Sequence, residues 1–125
     1  MMSSKQRAEA ENPPALSQAV LDVLAERARQ VGDKGYTPDH DDEKTDGAIA
    51  LAGAGYAYAA AWHDMEPTDA FTEEDPPEFW PDEWDFKPGA PRDMLVKATA
   101  LLLAEIERRD RPAASRPWRR GIPTG

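Results

Sequence analysis

The stretch from Asp46 to Trp62, DGAIALAGAGYAYAAAW, decides the fold. Alanine is the strongest helix former and dominates it, whereas an interior glycine costs about 1 kcal/mol relative to alanine. Gly53 and Gly55 therefore need an offset, and close packing of the backbone against neighbouring helices supplies one. Small residues at Ala50, Gly53 or Ala54, Ala57 and Ala61 line one face of this helix B. Ile49, Tyr56 and Ala60 fall on a second face, and Leu51, Tyr58 and Trp62 on a third. No face is charged, so the helix is expected to be buried nearly all round. Its two tyrosines need hydrogen-bond partners where they are buried. The stretch is too short, and too closely flanked by acids, to span a bilayer.

Working outward, Asn12 followed by Pro13 and Pro14 predicts the start of helix A, which runs to about Val31. Leu16, Val20, Val23, Leu24, Ala28 and Val31 recur at helical spacing and form one apolar stripe, with Gly32 as the stop. Thr37 as cap and Pro38 in the first turn predict a short helix, and Thr45 or Asp46 caps helix B. Pro91 opens helix C, which continues to about Arg111 and ends at Pro112. Its main stripe is Leu95, Ala98, Leu102 and Ile106. Between B and C, residues 63–90 form an acidic connection containing Phe71, Phe79, Trp80, Trp84 and Phe86. Connections beyond about 12–15 residues are uncommon in compact domains. The aromatics argue against a free linker, so FWPDEWDFKP is expected to fold back over the helices.

The expected class is all-α: a compact bundle of three main helices plus a short one, with the aromatic acidic connection packed across it. Residues 1–12 read as a disordered tail, 13–111 as a single helical domain and 112–125 as a basic tail. A chain of 125 residues accommodates one such domain. The absence of cysteine rules out disulfides and thiolate metal sites. No signal-like or membrane-spanning segment is visible, and a cytoplasmic location is expected.

The net charge of −9 is unevenly placed. Residues 37–93 carry sixteen carboxylates against Lys44, Lys87 and Arg92, while 108–125 carry six arginines and one aspartate. The acidic body disfavours direct nucleic-acid binding, because phosphates are repelled. It permits divalent cations, basic partner surfaces or self-association.

The run Asp39-His40-Asp41-Asp42-Glu43 lies just before helix B and offers oxygen ligands for magnesium. Its spacing does not match an EF-hand loop, and a solvated capping run is the competing reading. His40 serves either as a base or ligand or as a local hydrogen-bonding residue. Glu26, beside Arg27, Arg29 and Gln30, either points into the bundle or forms surface ion pairs. Glu105 borders the apolar face of helix C and needs an ion, an arginine or water; Arg108 and Arg109 are near in sequence. Glu26, Asp41, Asp42 and Glu105 are expected to converge on one cation pocket, with Asp41, Asp42 and Glu105 ligating Mg2+. Glu26, Arg29, Gln30, His40, Trp80, Trp84 and Lys87 are the expected ligand-binding residues. There is no glycine-rich phosphate loop, nucleophile elbow or zinc signature.

Several pieces together resemble a family of small phage and prophage proteins, mostly without an assigned function. They are Glu26-Arg27-x-Arg29-Gln30, Gly35-Tyr36-Thr37-x-x-His40-Asp41-Asp42, Tyr58-Ala59, Phe86-Lys87-Pro88, and Leu95-Val96-Lys97-Ala98 leading to Leu103-Ala104-Glu105-Ile106-Glu107-Arg108. The chain departs from that family at Gly47-Ala48-Ile49, where relatives often carry a glutamate after the glycine. A looser similarity is to all-α nucleotide pyrophosphohydrolases of the MazG type, which hold magnesium with acids on facing helices. The resemblance implies a phage-type accessory protein, in the cytoplasm of an infected or lysogenic bacterial host. It would bind a nucleotide-like ligand through acids and magnesium, with hydrolysis as the enzymatic extension. One alternative is a non-enzymatic acidic binder of a basic host protein surface, acting as a nucleic-acid mimic. Another is a structural homodimer paired through the small-residue faces of helix B.

Overall fold

Ser17 opens the first helix, its side chain accepting a hydrogen bond from the Val20 N–H at 3.2 Å. This helix, α1, spans Gln18–Gly32, and the Asp33 N–H closes it on the Arg29 carbonyl. The computed structural model describes residues 15–111. The expected start at Pro13-Pro14 and the expectations for 1–12 and 112–125 lie outside the described residues. The cap at Ser17 places the α1 start later than Asn12 implied.

Thr37 caps α2, Pro38–Asp42, through the His40 N–H, and Pro38 sits where a missing N–H is harmless. Asp46 Oδ1 accepts from the Ala48 N–H at 3.1 Å. Gly47 has φ of 86°, a left-handed conformation that side chains disfavour, and it turns the chain into α3, Ala48–Met65. A 3₁₀ turn at Pro67–Asp69 follows, and α4 spans Pro91–Asp110.

Helix α4 is the element on which the others meet, packing against α1, α2 and most extensively α3. No strand forms among the described residues, where only an isolated bridge joins Thr72 and Asp75. Ile49, Ala52, Tyr56, Ala59 and Ala60 of α3 meet Met94, Ala98, Leu101 and Ala104 of α4 in the core. Gly53 explains how closely the helices cross. A Cβ there would lie 2.9 Å from Leu102 Cδ2 and 3.3 Å from the Ala98 carbonyl oxygen.

The acidic connection folds back as its aromatics demand. Trp80 and Phe86 enter the core, and a Cβ on Gly55 would lie 2.5 Å from Trp80 Cε3. The second glycine of helix B therefore admits an indole ring rather than another helix. Trp80 Nε1 donates to the Trp84 carbonyl at 2.6 Å, and the Lys87 N–H donates to the Tyr56 hydroxyl at 3.0 Å. These bonds satisfy the polar ends of two buried aromatics. Tyr58, by contrast, keeps 40% of its surface exposed and packs on Phe71, Phe79 and Trp62.

Two expectations of burial change. Helix α3 is not covered all round, since Leu51, Ala54, Tyr58 and Ala61 form an exposed strip at helical spacing. In α1 the apolar stripe is largely outward, with Val20, Leu24 and Ala28 exposed, like Leu16 before the helix, and Gln30 the only buried residue of the helix. The reason is that α1 packs principally on α4, and it turns the polar side carrying Glu26, Arg27 and Gln30 inward. Leu95, Leu102 and Ile106 of α4 are likewise exposed. Among the described residues, no helix is long and apolar enough to cross a membrane.

Candidate functional site

Gln30 and Glu26 lie one helical turn apart on the inward side of α1, where the 79–87 segment arches over α3 and α4. The space enclosed is a cavity of about 550 Å³, within the range of small-molecule sites. Every expected ligand-binding residue lines it: Glu26, Arg29 and Gln30 from α1, His40 from α2, and Trp80, Trp84 and Lys87 from the connection. Sequence reasoning missed Lys34, Tyr36, Lys44, Tyr56 and Lys97, which complete the wall. Lys97 carried a signal, because it stands four residues before the core residue Leu101 and so shares its side of α4.

The electrostatics of the cavity invert those of the protein. Arg29, Lys34, Lys44, Lys87 and Lys97 face Glu26, Glu83 and Asp85, a cationic surplus inside a chain of net charge −9. Arg29 and Glu26 form a two-point pair at 2.7 and 2.6 Å. Burial works against the Glu26 charge, but the Arg29 hydrogen bonds, with Gln30 and Lys97, hold its carboxyl below the ordinary range. Burial pulls the Lys97 ammonium down, opposed by Glu26, while Lys97 donates to the Lys87 carbonyl at 2.9 Å and sits 5.4 Å over the Tyr56 ring. Lys87 Nζ is engaged by Glu73 at 2.9 Å outside the core. Lys34 and Lys44 make no ion pair among the described residues. Tyr36 stacks on His40 at 5.2 Å and leans on Trp84 at 5.4 Å, forming a half-buried aromatic wall.

The carboxylates expected to share a cation do not gather in one place. Glu26 faces the cavity, whereas Asp41, Asp42 and Glu105 are not among its lining residues. Each of these three is taken by arginine. Asp41 meets Arg27 at 3.1 Å, Asp42 meets Arg111 at 2.7 Å, and Glu105 meets Arg108 at 2.5 Å and Arg109 at 3.3 Å. Arg27 also donates to the Tyr36 carbonyl and to Glu107, clasping α1, the turn before α2, α2 and α4 together. Among the described residues, no group of three His, Asp or Glu side chains is arranged to hold a metal ion. Asp41, Asp42 and Glu105 therefore do not fit a magnesium site as they stand, because guanidinium groups already meet their charge.

The Glu105 pairs have their own pH signature. Burial disfavours the Glu105 charge, but Arg108 and Arg109 outweigh it and hold the carboxyl below the ordinary glutamate range. A depressed folded-state pKa contributes stability that is complete above the ordinary value and is lost as pH falls through the depressed one. Urea unfolding of wild type and Glu105→Gln will therefore differ most near neutral pH and converge as the pH falls below the ordinary glutamate range. A gap that stays constant with pH would show that Arg108 and Arg109 do not hold the Glu105 charge. Asp41 behaves oppositely: burial pushes its carboxyl up despite His40 and Arg27.

No protein-family model, curated protein or solved structure matches this chain, so the geometry of its pocket carries the functional argument.

Proposed function

We propose that the chain is a phage-type accessory protein whose pocket binds a nucleotide-like anion. The observation that carries this reading is the cationic surplus within the cavity of a strongly acidic protein. Lysines placed against the overall field have a reason to be there if they meet an anion. Lys34 and Lys44 hold charges that no carboxylate of the described residues takes up, which suits phosphate oxygens. Tyr36 and Trp84, tilted 39° to each other, offer aromatic ring faces of the kind on which a nucleobase stacks. The looser sequence similarity to nucleotide pyrophosphohydrolases points to the same ligand class.

Calorimetric titration with nucleoside mono- and triphosphates, with and without magnesium, tests the reading. Saturable binding that weakens as salt is raised is expected, because partly exposed lysines are screened. Lys44→Ala will weaken it by about tenfold, the loss of one charge-assisted hydrogen bond. Absence of heat from every nucleotide would reject the pocket reading and favour the acids of residues 63–90 as a surface for a basic host protein.

A further inference from the structure

Gln30 is a polar side chain only 3% exposed, and half of its amide is unaccounted for. Its Nε2 donates to Glu26 Oε2 at 3.3 Å, and its backbone carbonyl accepts from the Tyr36 N–H at 2.9 Å. Its Oε1 is buried and has no hydrogen-bond partner. Exchanging the two ends of the amide does not resolve this. Glu26 is an ionised carboxylate and accepts only, so the amide nitrogen is the end that must face it. The orphaned atom is therefore an acceptor, and it belongs to a residue lining the cavity. A buried acceptor without a donor is costly, and natural structures leave few of them.

The donor that fits can be narrowed by its surroundings. The Glu26 carboxylate accepts from the Nε2 of the same amide, so a phosphate or a ring carbonyl would be repelled at this end of the cavity. A hydroxyl brings one hydrogen. An amino group on an aromatic ring brings two, enough for Gln30 Oε1 and for a lone pair of Glu26 beyond those used by Arg29 and Gln30. Lys34 and Lys44 remain for the phosphate, and Tyr36 and Trp84 for the ring between.

We propose that Gln30 is the specificity-determining residue of the pocket, its Oε1 accepting an N–H from the exocyclic amino group of a nucleobase. The pocket then prefers amino-bearing bases to their amino-free counterparts. This rests on the nucleotide reading, and the test separates the two.

The full-length protein is titrated calorimetrically with matched monophosphates: AMP against purine riboside 5′-monophosphate, GMP against IMP, and CMP against UMP. Within the pair that binds most tightly, the amino-bearing member is expected to bind about tenfold more tightly or better. Gln30→Leu, checked for folding by its thermal melt, removes that preference, so that the two members of the pair bind within about twofold of each other. Binding with equal affinities within that pair overturns the Gln30 assignment and leaves the nucleotide reading standing; a trapped water then satisfies Oε1. Failure of every nucleotide to bind wild type overturns both. The wild-type comparison decides the matter even where Gln30→Leu does not fold.

Discussion

Trp80→Ala will lower the unfolding free energy by about 3–5 kcal/mol, the usual cost of deleting a buried large aromatic. Trp80 retains 7% of its surface and makes edge contacts with Tyr56 and Phe86 at 5.1 and 4.8 Å between ring centroids. Removing the ring opens a cavity above Gly55, which has no side chain of its own to fill it. It also frees the Trp84 carbonyl from its hydrogen bond, so the arch that roofs the pocket loosens. The variant should therefore lose ligand affinity along with stability. Trp84→Ala is the matched control, since Trp84 is half-buried and its loss should cost clearly less. Urea denaturation measures both, and equal midpoints for wild type and Trp80→Ala would remove the connection from the core.

Asp41→Ala will destabilise by about 3 kcal/mol, because it strands a buried guanidinium. The Arg27 and Asp41 side chains are 11% and 3% exposed and meet at 3.1 Å. Without Asp41, Arg27 keeps, among the described residues, the Tyr36 carbonyl and the half-exposed Glu107 as hydrogen-bond partners. The same substitution separates the clasp from the magnesium expectation. A carboxylate repelled by neighbouring acids would give a more stable metal-free protein when removed. A carboxylate pinning Arg27 gives a less stable one, whether or not magnesium is added. Chemical denaturation in the presence and absence of magnesium reads the sign directly. A stability gain on substitution would restore Asp41 as a cation ligand.

Much of the local architecture is legible in the chain. Thr37-Pro38, Asp46 and Pro91 mark helix starts because capping uses atoms only a few residues apart. The short pairs Glu26 with Arg29 and Glu105 with Arg108 are three-residue helical neighbours, so the sequence puts those partners within reach. The aromatics of the connection had to find apolar cover, and Gly53 and Gly55 announced close approach to something. The expected ligand residues line one cavity, whereas Asp41, Asp42 and Glu105 of the metal expectation are not among its lining residues.

What the sequence by itself determined is therefore the all-α class and the helix starts at Thr37-Pro38, Asp46 and Pro91. The tertiary structure alone decided which charges neutralise one another. Arg27 reaches Asp41 across 14 residues and Glu107 across 80, and Arg111 reaches Asp42 across 69. Periodicity has no bearing on such separations, because they depend on how α1 and α2 dock on α4. The same docking turned the apolar stripe of α1 outward and Gln30 inward. A stripe shows that a face is apolar, but only a neighbouring helix decides whether that face is covered. The pocket's cationic sign is likewise tertiary, since Lys34, Lys44, Lys87 and Lys97 come from separate segments of an acidic chain and acquire a common field only when folded together.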